Sequence, residues 1–206
     1  MSEPPLLPLL DEVPAERRDA ARNRELLIAA ASDLVARIGP QAVTMDAVAA
    51  AAGVGKGTVF RRFRSREGLM AALLDHSEAA WQAQVMSGPP PLGPGAPAWD
   101  RLLAFGRTRL ESTLVHLELI REAGRTGSRA SGAYAFTITH VVHLLRELGI
   151  EDHLPIHAAA LLAPLELALD ERISVEDFPL ERVYDGWVDL ARRIVGPTPR
   201  GGATRT

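Results

Sequence analysis

Apolar residues return along this chain with a helical period, and no stretch alternates convincingly as a strand would. Leu27, Ala31, Leu34 and Ile38 fall at i, i+4, i+7 and i+11, a single stripe that predicts a helix ending at Gly39-Pro40. Thr44 is a good N-cap and predicts a short helix carrying Val48, Ala49 and Ala52, closed by Gly53. Val59, Phe60 and Phe63 mark a third helix. Ser65 then caps a longer one through Leu69, Leu73 and Ala80 toward Trp81. The stretch "SGPPPLGPGAP", Ser87 to Pro97, excludes helix and strand alike.

Beyond that break, Leu102, Phe105, Leu110, Thr113 and Leu117 predict another helix. Tyr134, Ile138, Val141, Leu145 and Leu148 form a stripe that stops at Gly149. "PIHAAALLAPLELALDERI" is apolar nearly all round, which predicts burial on more than one side, with a kink at Pro164. Leu180, Val183, Tyr184, Trp187, Val188, Ala191, Ile194 and Val195 keep to helical spacing to the end. The chain is therefore predicted to be all-α, with about nine helices. Its expected divisions are a disordered arm over 1–17, a domain over 18–82, a second over 83–196 and a disordered tail over 197–206.

Composition narrows the chemistry. The 206 residues include no cysteine, which excludes disulfides, cysteine nucleophiles and zinc-thiolate sites and suits a cytoplasmic protein. "MSEPPLLPLLDEVP" lacks the basic start and cleavage pattern of a secretory signal, and no run has the roughly 18 apolar residues of a spanning helix, so no membrane partner is expected. The net charge of −3 speaks against nucleic acid only if the chain is one body. Arg17 to Met70 carries ten basic side chains, Arg17, Arg18, Arg22, Arg24 and Lys56 among them, against five acidic ones; that balance of +5 leaves −8 elsewhere.

The densest motif is "AAGVGKGTVFRRF", Ala51 to Phe63, over which the pattern 44–63 is built. A glycine-rich turn with a lysine suggests phosphate. A nucleotide P-loop fails, because Ala50 stands at the first glycine position, Gly57 stands where Ser or Thr must ligate magnesium, and a helix, not a strand, precedes it. The alternative is the tight turn of a helix-turn-helix. Gly53 takes the left-handed conformation there, and Ala49 and Ala52 allow close helix approach. The next helix then presents Lys56, Thr58, Arg61 and Arg62 outward, with Val59, Phe60 and Phe63 largely inward, and can enter the major groove of DNA.

"TMDAVAAAAGVGKGTVFRRFRSREGL", Thr44 to Leu69, resembles the DNA-binding signature of the TetR family of bacterial transcriptional regulators. The resemblance covers roughly residues 20 to 75 and implies an N-terminal three-helix helix-turn-helix domain on a C-terminal helical bundle. By that resemblance Thr44 caps the second helix and touches phosphate. Gly55, Lys56, Gly57 and Thr58 open the recognition helix, Phe60, Arg61 and Arg62 follow along it, and Arg66 holds phosphate at the start of the next helix. The chain departs from the family pattern in having Phe60 for the usual tyrosine, Gly55 for serine or alanine, and Arg62 for the common histidine.

The resemblance also implies a homodimer and a small-molecule effector for the acidic C-terminal part. Two-fold pairing suits half-sites about 34 Å apart on B-DNA. The last two helices predict the interface, through Leu161, Leu165, Leu169, Val183, Trp187, Val188 and Ala191. Amphipathic position places a ligand pocket among Trp81, Trp99, Phe105, Arg109, Thr113, His116, Phe136, His140 and His143. His140/His143 and His153/His157 have spacings that put two imidazoles on one face, but no carboxylate completes either set, so no metal is assigned. No cofactor is expected, and no paired catalytic carboxylates or Ser-His-Asp arrangement suggests an enzyme. The reading is a homodimeric repressor that binds a palindromic double-stranded DNA operator and is released by a small-molecule effector. The alternative is an all-α small-molecule-binding protein or enzyme with a vestigial helix-turn-helix.

Overall fold

The computed structural model describes residues 15–123, 129–169 and 179–196, with side chains for 19–123, 133–166 and 179–196. The expected arm over 1–17 lies outside the described residues except for its last three, which open the first helix, and the expected tail over 197–206 lies wholly outside. Among the described residues there are nine α-helices and no strand. The chain divides into two compact units, Met1–Leu73 and Leu74–Thr206, so the division falls within the fourth helix.

The N-terminal unit holds α1 (Ala15–Ile38), a 3-10 turn (Pro40–Ala42), α2 (Met45–Ala51), α3 (Lys56–Phe63) and the first turns of α4 (Arg66–Ser87). α1 stops where Gly39 adopts φ 77° ahead of Pro40, which has no N–H to continue the ladder. Its buried stripe is Leu27, Ile28, Ala31 and Leu34. Ile38, expected on that stripe, is the last residue of the helix and is 50% exposed. Val43, Met45, Val48, Ala49, Val59 and Phe63 complete the buried set from α2, α3 and the turn before them. Burying each large apolar side chain contributes about 1.5–3 kcal/mol against chain entropy.

The C-terminal unit holds the rest of α4, then α5 (Ala98–Val115), α6 (Leu117–Ala123), α7 (Arg129–Glu147), α8 (Leu154–Leu162), a 3-10 segment (Ala163–Leu169) and α9 (Leu180–Val195). α5 packs on α7, α9 and the 3-10 segment, and α8 packs on α7 and α9. One core runs through Val85, Leu102, Phe105, Leu110, Val141, Leu144, Leu145, Leu161, Leu165 and Trp187. Where one helix was expected to run through Leu117, the chain breaks at His116, whose φ −98° and ψ 7° end α5 and start α6. At Pro164 the change is tighter than a kink: α8 stops at Leu162 and continues as 3-10, since the proline cannot donate the α-helical hydrogen bond.

Most of the residues expected to meet a second copy are covered within a single chain. Leu161, Leu165 and Ala191 are fully buried within a single chain, Trp187 is 1% exposed and Val188 is 8% exposed. Val183 is half-buried against the same core, and the side chain of Leu169 lies outside the described residues. The apolar surface of α8 is taken up by α7 and α9, and that of α9 by α5 and α8. Trp187 lies against Gly106 of α5, and its indole N–H donates to the Leu161 carbonyl at 2.7 Å.

Candidate functional site

In the N-terminal unit, local chemistry sets two short helices around a tight turn. Thr44 Oγ1 accepts the Ala47 N–H at 3.1 Å and so caps α2. Gly53 adopts φ 66°, and the chain reverses with the Val54 N–H donating to the Ala49 carbonyl at 3.0 Å. Gly55 then N-caps α3 in extended geometry, with no side-chain cap bond. Val59 and Phe63, at i and i+4, turn into the core at 0% and 7% exposure. Lys56, Gly57, Arg61 and Arg62 are exposed on the other side, and Thr58 is half-buried beside them.

Phe60 departs from its expected inward position. It is 40% exposed, since i, i+4 spacing places it over Lys56, whose Nζ lies 5.7 Å from the ring centroid. The outward row is therefore Lys56, Gly57, Phe60 and Arg61, with Arg62 alongside. Arg61 Nη2 donates to Thr58 Oγ1 at 3.4 Å, so these two polar groups are already adjacent.

Two further residues change the picture of this face. Lys56 Nζ donates to Asp46 Oδ2 at 2.8 Å, with both side chains 61% exposed. Asp46 lies within the sequence motif but is given no role by it, because an acid in the first turn of α2 reads as an ordinary helix-start residue. Arg66, expected to hold phosphate, is half-buried and faces its own chain. Its Nε donates to the Val43 carbonyl at 3.0 Å and its Nη2 to the Pro40 carbonyl at 2.6 Å, tying the start of α4 to the turn before α2. Charge-assisted bonds to two carbonyls make this a structural tie.

In the C-terminal unit, part of the expected pocket comes together. Trp81 lies 5.2 Å from Phe105 and 6.1 Å from Phe136, ring centre to centre. His140 stacks between Phe105 at 5.4 Å and Phe136 at 6.0 Å, with His143 at 6.3 Å. Arg109 stacks 5.1 Å over Trp81, and its Nη1 donates to Glu78 Oε2 at 2.7 Å, both side chains being 14% exposed. Trp81 Nε1 donates to Thr108 Oγ1 at 3.1 Å. The other expected members make contacts of their own. Thr113 Oγ1 donates to the Arg109 carbonyl, His116 Nδ1 lies 2.8 Å from the Ser112 carbonyl, and Trp99 packs at the edge of the core.

The pattern missed Arg101, which is only 9% exposed although charged. It lies one helical turn before Phe105, so a charge on an apolar stripe was the available signal. Its Nη1 donates to Glu147 Oε2 at 3.4 Å, but its Nε is buried without a partner. Buried His140 likewise leaves Nε2 unpartnered. Each such orphan costs about 1–3 kcal/mol. Burial, then the Arg101 charge, then His143 push the His140 imidazole down to about 4, so it is neutral at pH 7. No group of three or more His, Asp or Glu placed to hold a metal occurs among the described residues.

Residues 27–73 match the family model described as bacterial regulatory proteins, tetR family. These residues form a TetR-family domain. The match ends at the last residue of the N-terminal unit, and it spans every element that positions the outward face of α3. Solved structures share the whole TetR-like fold. Thermus thermophilus FadR, a TetR-family transcriptional repressor in complex with lauroyl-CoA, is 19% identical, with 87% of this chain and 99% of that chain covered and a TM-score of 0.58. Escherichia coli NemR in its reduced form gives 20%, 87%, 99% and 0.56. A TetR-like regulator from Rhodococcus sp. RHA1 gives 21%, 86%, 98% and 0.55. No curated protein matches by sequence. No described helix of the chain is long and apolar enough to cross a membrane.

Proposed function

We propose that the chain is a cytoplasmic transcriptional repressor, acting as a homodimer on a palindromic DNA operator and released by a small-molecule effector bound in the C-terminal unit. The observation that carries this reading is the outward face of α3. Lys56, Thr58, Phe60, Arg61 and Arg62 stand at the end of a Gly53 turn, on a helix short enough to lie in a major groove. Thr44 and Gly55 flank it with backbone N–H groups suited to phosphate. Phe60 has no hydroxyl for phosphate, and supplies apolar contact to sugar or a thymine methyl instead.

One such helix makes too few base contacts for a specific site, which argues for a two-fold dimer. With the first-expected residues buried, the pairing surface is assigned to the outer side of α8 and its 3-10 continuation. There Ile156, at 67% exposure, shares a face with exposed Ala160 and Ala163. Thermus thermophilus FadR, a repressor of the same fold, is seen with lauroyl-CoA, a precedent for an effector on this architecture. An effector that favours a conformation whose recognition helices no longer match the half-sites releases DNA.

The test is a footprint of the protein on DNA from its own promoter region at low salt. Arg61→Ala and Thr58→Ala are expected to abolish the specific footprint and leave circular dichroism and the dimer unchanged. Binding to no such DNA, or variant footprints identical to the wild type, would sink the proposal.

A further inference from the structure

We infer that the Arg101–His140 site in the C-terminal unit takes a small aromatic carboxylate, its charged end on these two residues and its apolar body along Trp81, Phe105 and Phe136. The inference deepens the effector reading and depends on it only for what binding does at DNA.

Two hydrogen-bonding nitrogens are buried without partners on helices that pack together, Arg101 Nε of α5 and His140 Nε2 of α7. Arg101 is 9% exposed and His140 7%. An arginine Nε–H can only donate, and a neutral imidazole protonated at Nε2 also donates. A carboxylate has lone pairs enough to accept from both at once. The Arg101 charge is not cancelled at this point, because its Glu147 contact is a single one at 3.4 Å and Glu147 is shared with His143 at 3.3 Å. Arg109, by contrast, is closed to such a role by its 2.7 Å pair with Glu78. A guanidinium among apolar groups, held by one ion pair at 3.4 Å, favours an anion over a neutral molecule of the same shape.

The surroundings set the rest of the ligand. Phe105 and Phe136 flank His140, and Trp81 touches both rings. An aromatic body placed against these rings packs by offset or edge contact, in place of contacts the rings now make with one another. Thr108 already occupies the Trp81 N–H, so the body itself needs no polar group there.

The experiment titrates the full-length protein, without DNA, with benzoate and 2-naphthoate, and with benzamide and 2-naphthamide as neutral counterparts, at pH 7. Isothermal calorimetry and Trp fluorescence report binding. Saturable binding of at least one acid, tenfold or more tighter than its amide, is expected. His140→Phe keeps the ring stack and removes the donor. Arg101→Lys keeps the charge and removes Nε. Each is expected to cut the acid-over-amide preference at least fivefold while thermal melting and the DNA footprint persist. No saturable binding of either acid up to millimolar concentration overturns the inference. Equal binding of acid and amide, or a preference unchanged in both variants, overturns it too. Because the footprint is scored separately, failure here leaves the DNA-binding reading standing, and failure of the footprint leaves this one standing.

Discussion

At the residue scale, Asp46 and Lys56 make the most direct statement about the outward face of α3. The pair is exposed, so its net contribution to stability is small, about 0–1 kcal/mol. Its weight lies in what Lys56 is available for. A lysine held by a neighbouring carboxylate must exchange that partner for a phosphate, and the carboxylate then faces the nucleic acid. Asp46→Asn is therefore expected to tighten binding to a non-specific duplex about threefold, with little change in melting temperature. Lys56→Met is expected to lower the slope of log affinity against log salt by about 1. Fluorescence anisotropy across a salt series checks both, and a double mutant no tighter than Lys56→Met alone assigns the Asp46 effect to this pair. At the same scale, Thr44→Ala removes the cap of α2 and is expected to cost about 1 kcal/mol in chemical denaturation.

At the scale of elements, the helices were legible because their buried stripes repeat at 3.6 residues and their ends carry Thr44, Gly53, Ser65 and Pro-rich punctuation. The turn of the candidate DNA site was legible for the same reason, since Gly53 does there what a left-handed turn requires. Three things were not. His116 ends α5 with neither glycine nor proline to announce it. Arg66 reads as one more basic residue, although its guanidinium turns back onto carbonyls 23 and 26 positions away, a separation that local pattern does not encode. The apolar stripes of α8 and α9 look alike whether they meet a second copy or the chain's own helices, and here α8 meets α7 and α9 while α9 meets α5 and α8. Gly106 makes that docking possible. A Cβ at this position runs into the Trp187 ring, which is pinned by its bond to the Leu161 carbonyl and cannot swing away. Alanine normally gains up to about 1 kcal/mol over glycine inside a helix. Overpacking outweighs it, and Gly106→Ala is expected to lose about 1–3 kcal/mol in urea unfolding.

At the scale of the whole molecule, charge and protonation are unevenly placed. A chain of net charge −3 carries its basic excess in the segment that holds α3, so affinity for DNA is expected to fall steeply as salt rises despite the acidic total. His140 gives the C-terminal unit its own pH dependence. Its folded value of about 4 lies below the ordinary 6.5 of the unfolded chain, with Arg101, His143 and Glu147 around it. Above pH 6.5 both states are neutral at this group. Between 6.5 and 4 the unfolded chain takes up a proton that the folded one refuses, so stability falls as pH falls, by about 1–3 kcal/mol. Urea unfolding at pH 7 and pH 4.5 checks this, and His140→Phe is expected to remove that share of the loss. The same chain has a single lysine side chain, on the first turn of α3, with every other permanently basic side chain an arginine. An amine-reactive dye or an acetylating reagent therefore finds one side-chain amine in the molecule, and whatever covers that turn becomes readable as the protection of a single nitrogen atom.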